Sequence, residues 1–224
     1  MSTIPEPSVN DLSPVVKAGV EKEPVALIDT SGSMSWPVAD GSDVRRMDVV
    51  GEAMGLLVKN LEDQDSQAAA EQAAGDDEHG GLLVHLFSDH ATELGDLNSA
   101  NWRQKWDSIR WGGGTRIMSA WEAAQDDYLE EFGDVPALDR PALLTLVITD
   151  GEAQDGAEFA QVLEQAGAQR KFCVAVLGFG PDHDRTLAAY KAVEARNGKH
   201  VRVVTFGGET DPASIAGDLI TLIG

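Results

Sequence analysis

Val25-Ala26-Leu27-Ile28-Asp29-Thr30-Ser31-Gly32-Ser33 is the stretch on which the fold turns. Four apolar residues run without a polar break and stop at a carboxylate, and small hydroxyl-bearing residues follow at once. A short continuous apolar run bounded by turn residues reads as a strand buried on both faces, the kind found in parallel sheets. Two distant segments answer to it. Gly112-Gly113-Gly114-Thr115 is a glycine loop ending in a hydroxyl. Leu143-Leu144-Thr145-Leu146-Val147-Ile148-Thr149 is a second apolar run, ending in Asp150-Gly151. Open parallel sheets bind ligands beyond the carboxyl ends of their strands, and Asp29 and Asp150 both stand at such ends. If the two strands are neighbours, the carboxylates converge.

Outward from these segments the chain alternates apolar runs with longer amphipathic ones from Pro24 on, the βαβ signature of a parallel sheet covered by helices on both faces. Strands are expected at Val25 to Asp29, Leu82 to Ser88, Leu143 to Thr149, Phe172 to Gly178 and Val201 to Phe206. A short sixth, near Ala91 to Leu94, would return antiparallel after Asp89-His90. Helices are expected at Arg46 to Glu62, Asn101 to Ile109, Ile117 to Glu130, Ala157 to Gln165, Asp184 to Asn197 and Pro212 to Leu222. In the first, Met47, Val50, Met54, Leu57, Val58 and Leu61 fall at three- and four-residue spacing and make one apolar face. The stretch Glu62 to Gly81 either extends that helix or forms a mobile acidic insert. Residues 1–23, with Pro5, Pro7 and Pro14, read as an N-terminal arm or lead-in segment, and 24–224 as one α/β, Rossmann-like domain with about six strands.

Two carboxylates and three hydroxyls on loops and strand ends are hard oxygen ligands, suited to Mg²⁺ or Mn²⁺, with Ca²⁺ also compatible, rather than to zinc or copper. Ser31 and Ser33 are two apart, so both hydroxyls can turn to one point, and Gly32 between them relaxes the backbone. Each piece alone has a plainer explanation. Asp-Thr-Ser-Gly-Ser is also a turn and helix cap, Thr149-Asp150-Gly151 a turn, and Gly112 to Gly114 a flexible loop. The joint match, with each carboxylate closing an apolar run, favours the metal site. Mutual repulsion between Asp29 and Asp150 predicts that Asp150→Asn is tolerated without metal.

Asp29, Ser31, Ser33, Thr115 and Asp150, in this order and rough spacing, resemble the metal-ion-dependent adhesion site (MIDAS) of von Willebrand factor type A (vWA) domains: Asp-x-Ser-x-Ser, a distant Thr, a distant Asp. The resemblance extends from about Pro24 to the C-terminus. It implies that Ser31, Ser33 and Thr115 bind the ion directly, that Asp29 and Asp150 act directly or through water, and that an Asp or Glu of a partner protein completes the shell. Leu27 to Met34 and the compact size look similar to bacterial stand-alone vWA proteins linked to tellurium or stress resistance, and to copines. The function so implied is metal-dependent protein binding by an adaptor that is not an enzyme. The alternatives are a metal-dependent phosphohydrolase and a scaffold without metal. The first is weakened because Ser31 stands where such enzymes carry a second Asp, and no Gly-x-Ser-x-Gly elbow, P-loop ending or dinucleotide glycine pattern is present.

Composition narrows the partners. Seventeen basic against 38 acidic residues give a net charge of −21, which repels nucleic acids and anionic membranes and favours basic proteins and divalent cations. No apolar run approaches the ~20 residues of a membrane span. Met1 to Asp11 lack the pattern of a secretory signal, and a single cysteine, Cys173, read as a buried inert thiol, permits no internal disulfide. Both point to the cytoplasm. His79, His85, His90, His183 and His200 show no zinc-type spacing. Asp89 and His90 read as turn residues, and Glu152 and Asp155 as a solvated loop. Trp102 and Trp106, four apart, read as core, and Trp36 and Trp111 as an exposed rim around the metal.

Overall fold

The pairing of the two apolar runs organises everything else. In the computed structural model, which describes residues 20–72, 81–151, 153–169, 172–179, 187–206 and 211–223, strand β1 (Lys22–Asp29) lies between β2 (Leu82–Phe87) and β4 (Ala142–Thr149), parallel to both. Side chains are described for these residues except 65–72, 167–169, 173–177 and 179. The arm up to residue 19, the run Asp76 to Glu78, His79, Glu152, His183, Asp184 and the thiol of Cys173 therefore lie outside the description. Among the described residues the strands form one sheet in the order β3-β2-β1-β4-β5-β6, where β3 is Ala91–Leu97, β5 Phe172–Phe179 and β6 Val201–Phe206. All neighbours are parallel except β2 and β3.

β1 starts at Lys22, inside the segment assigned to the arm. Its Pro24 has no N–H to give a ladder, and pairing with β2 begins only at Val25↔Leu83, so Pro24 has β4 alone beside it. β3 is longer than the expected Ala91 to Leu94. Gly95 (φ +75°) accompanies a register shift opposite Val84/His85, and pairing resumes to Leu97.

Alternate residues of β1 feed two cores. Ala26 and Ile28 face α1 (Arg46–Gln72) and α6 (Pro212–Ile223) through Val50, Met54, Leu57, Ile215, Leu219 and Leu222. Val25 and Leu27 face α3 (Met118–Phe132), α4 (Gly156–Gln169) and α5 (Ala188–Asn197) through Trp121, Ala124, Phe159, Leu163, Tyr190 and Val193. Helices thus cover both faces of a central, mostly parallel sheet. α1 continues to Gln72, so the first part of the Glu62 to Gly81 stretch is helix.

The short α2 (Trp102–Asp107) lies on α1 by a size match. A Cβ on Gly51 would meet the Trp106 indole at 2.4 Å, and one on Gly55 the Trp102 ring at 2.5 Å. The two glycines are four apart, as are the two indoles, so one helical turn of small residues receives one turn of large ones. Trp111 packs on the same core, its ring centroid 5.5 Å from that of Trp106, which corrects its expected place on an exposed rim. Trp36 is 57% exposed.

Candidate metal centre

Parallel pairing of β1 with β4 sets Ile28 beside Ile148, so Asp29 and Thr149 end their strands side by side and Asp150 lies one residue beyond. Asp29 is fully buried. One carboxylate oxygen, Oδ1, accepts the Ser31 N–H at 2.8 Å, and Oδ2 accepts the Thr149 hydroxyl at 2.7 Å. The Thr149 hydroxyl in turn accepts the Gly151 N–H at 3.0 Å. Gly151 has φ +97°, a conformation that side chains strongly disfavour, which turns the chain away just past Asp150.

After Asp29 the chain enters a single 3-10 turn, Gly32–Ser35, with Ser31 as its N-cap residue. The hydroxyls of Ser31 and Ser33 lie 3.1 Å apart. Gly32 is exposed, a Cβ on it would meet nothing within 4 Å, and its φ is not positive. The local space therefore does not require glycine there, which corrects the expectation that Gly32 relaxes a constrained backbone.

The glycine loop is held rather than loose. Gly112 N–H donates to the Thr30 carbonyl at 2.8 Å, Gly114 N–H to Asp89 Oδ1 at 3.0 Å, and Arg116 N–H to the Ser88 carbonyl at 2.8 Å. These bonds lay it across the ends of β1 and β2. A Cβ on Gly113 or Gly114 would meet the Asp89 carboxylate at 2.7 or 2.8 Å, so close approach is what the glycines provide. Asp89, expected to be a turn residue, anchors this loop. Thr115 follows, 6% exposed, and its carbonyl accepts the Gln154 N–H at 2.8 Å, which draws in the loop after β4. Asp155, expected in a solvated loop, instead accepts the N–H groups of Ile117 and Met118, both at 3.0 Å, at the start of α3.

All five residues singled out in the sequence therefore lie at one end of the sheet, Asp29 closing β1 and the other four on the segments just beyond the strand ends. Burial, and next the neighbouring Asp150 charge, push the Asp29 carboxyl up from its usual 3.8 to about 6, against the hydrogen bonds from Ser31 and Thr149. Two further residues at the site do not stand out in the sequence. Thr149 is hidden inside an apolar run, yet its hydroxyl bridges the two strand ends. Arg46, the first residue of α1, is 4% exposed and donates from Nη1 to Asp150 Oδ2 at 2.9 Å. Its place at a helix N-terminus, where the dipole opposes a cation, does not tell it from its neighbour Arg45.

Whether these residues fit a divalent ion can be judged from their atoms. Among the described residues no group of three or more His, Cys, Asp or Glu could hold a metal. A site here would have to rest on hydroxyls, which is the donor chemistry of Mg²⁺ and Mn²⁺. Neighbouring ligands of an octahedral ion at roughly 2.0–2.1 Å lie about 3 Å apart, and the two serine hydroxyls lie 3.1 Å apart. Asp150 Oδ1 is buried with no hydrogen-bond partner, an acceptor with unused capacity. The residues fit.

No protein-family model and no curated protein matches the sequence. Solved structures do. The SpRpn10 VWA domain aligns at TM-score 0.61 with 10% identity, over 92% of this chain and 98% of its own. The chain has a von Willebrand factor type A fold. A manganese-loaded TRAP protein from Plasmodium vivax aligns at TM-score 0.57 with 18% identity, over 91% of this chain and 74% of its own. Proximal thread matrix protein 1 from the mussel byssus aligns at TM-score 0.52 with 14% identity, over 90% of this chain and 46% of its own. At such identities the likeness is one of fold. In this vWA-like chain, Asp29, Ser31 and Ser33 leave β1, Thr115 precedes α3 and Asp150 leaves β4. No helix among the described residues is long and apolar enough to cross a membrane.

Proposed function

We propose that this vWA-like chain is a protein-binding adaptor, not an enzyme, in which Asp29, Ser31, Ser33, Thr115 and Asp150 form a MIDAS that holds Mg²⁺ or Mn²⁺. A carboxylate from a partner's Asp or Glu completes the shell. The observation that supports the reading is the side-by-side ends of β1 and β4, with the Ser31 and Ser33 hydroxyls 3.1 Å apart beside them and the Thr115 loop tied by backbone hydrogen bonds to Thr30 and Ser88. Three of the five donors are neutral, and an ion that prefers six oxygens keeps at least one position for an incoming ligand. The manganese-loaded TRAP structure supports a divalent ion at this fold. A cytoplasmic setting is part of the proposal, supported by the single cysteine. So is kinship with the stand-alone tellurium-resistance and copine type, supported by Leu27 to Met34.

Two measurements test it. Mg²⁺ at 100-fold its dissociation constant should stabilise metal-free protein by ~2.7 kcal/mol, and Asp29→Ala should abolish the response. A partner captured on the immobilised chain in Mg²⁺ should be lost in chelator, with Thr115→Ala, or when the partner's acidic residues become amides. A partner that survives all three treatments places recognition on another surface. A chain with no ion response at all is a scaffold.

A further inference from the structure

Among the described residues four acidic, guanidinium or imidazole side chains are buried: Asp29, Arg46, His85 and Asp150. His85 is accounted for on the opposite face of the sheet from α1, its Nε2 lying 2.8 Å from Asp127 Oδ2. The other three lie at the candidate centre. Two facts oppose Arg46 where it stands. A guanidinium out of water is costly unless paired, and the start of α1 carries positive dipole charge. What holds it is Asp150 Oδ2, at 2.9 Å. The same Asp150 is one of the two carboxylates that an ion would need. Asp29, Asp150 and Arg46 together carry one net negative charge when all are ionised, and the guanidinium already supplies half of the positive charge of a divalent ion.

We infer that Arg46 is a tethered cation that competes with the divalent ion for Asp150, holding the metal-free site together and lowering its affinity for the ion. The inference rests on the metal reading above. A resting place for the displaced guanidinium is at hand. While paired with Asp150 its carbon already lies 5.9 Å from the ring centroid of the exposed Trp36, within cation–π range, a contact the group can keep when it leaves the carboxylate. Ion uptake would then release a positive group at the rim, next to where the partner carboxylate arrives. The competing role, in which Arg46 merely orients Asp150 as a ligand, has the opposite sign: loss of an orienting partner weakens metal binding.

The experiment is a Mn²⁺ titration of the full chain by electron paramagnetic resonance of the free ion, with wild type, Arg46→Lys, Arg46→Gln and Arg46→Met. The Gln and Met variants should bind Mn²⁺ at least about tenfold more tightly, equivalent to about 1.4 kcal/mol, while melting lower in chelator; Lys should bind as wild type does. Equal or weaker binding by Gln and Met overturns the inference and leaves the metal reading intact. Binding by the Gln variant alone upholds the inference and corrects the metal reading for the native chain. No binding by any variant ends both. Should Met not fold, Gln keeps an N–H donor toward Asp150 without the charge. Independently of any charge-removing variant, the Arg46 Nε–H resonance of the native chain, assigned with Arg46→Lys, should shift on Mg²⁺ titration. Where the native chain binds Mn²⁺, a resonance that stays in place on Mg²⁺ also overturns the inference.

Discussion

Lowering the pH should stabilise the metal-free protein, and Asp29 should be responsible for a defined part of the gain. Its carboxyl titrates near 6 in the fold, against 3.8 for the ordinary group. The folded pKa is the higher one, so between about pH 4 and 6 the folded chain holds more protons than the unfolded chain and stability falls as pH rises. The cost is complete above about pH 6.5 and vanishes below about 3.8. The rise from 3.8 to about 6 amounts to about 3 kcal/mol at 1.36 kcal/mol for each pH unit. About half of this, about 1.5 kcal/mol, returns between pH 7.5 and pH 5, which is about 3–6 °C in melting temperature for a chain of this size.

The assay is thermal unfolding in chelator across that range, for wild type and Asp29→Asn. The surplus of other acidic residues adds its own slope, so the difference between the two proteins isolates Asp29. The Asn variant keeps an oxygen for the Ser31 N–H but turns an amide toward the Thr149 hydroxyl, a local loss of about 1 kcal/mol that does not vary with pH. With saturating Mg²⁺ the slope should reverse, because the ion needs the deprotonated carboxylate. Equal slopes for wild type and Asn in chelator would refute the burial argument for Asp29.

Asp150→Asn should destabilise the metal-free chain by about 3–5 kcal/mol in urea unfolding, because Arg46 stays buried with its counter-ion gone. This reverses the tolerance that carboxylate repulsion alone predicts. Asp155→Ala should cost about 1–2 kcal/mol by the same measurement, as the first N–H groups of α3 lose their acceptor. Gly51→Ala should cost about 1–3 kcal/mol, since its Cβ meets the Trp106 indole at 2.4 Å. Gly217→Ala, in α6 with nothing within 4 Å, should instead stabilise by about 0.5–1 kcal/mol.

What can be read in the sequence is whatever local pattern decides. The strands β1 and β4 beside the centre carry mostly apolar runs, and a carboxylate at the end of such a run marks a strand end without further information. The serine spacing and the glycine loop are equally local. Arg46 is out of reach for the opposite reason. It adjoins Arg45, an identical residue that pairs with Asp48 three positions away on the exposed surface, while Arg46 finds its partner 104 residues on. Nothing in the dipeptide separates the two roles. Thr149 is disguised by its neighbours, and Trp111 by a loop that curls back onto the α1 face. Asp155 reads as loop because the helix end it satisfies, at Ile117, lies 38 residues earlier.

The span between the two strand ends has a consequence for synthesis. Asp29 and Thr149, which share a hydrogen bond, are 120 positions apart, and the pairing of β1 with β4, which starts at Lys22↔Ala142, cannot be completed until the chain has been made through residue 149. Contacts of such separation form late and slowly. A nascent chain that has emerged only to the glycine loop carries Asp29, Ser31, Ser33 and Thr115 but not the strand that completes their surroundings. Ion uptake would therefore report completion of the central sheet during translation, and could not help nucleate it.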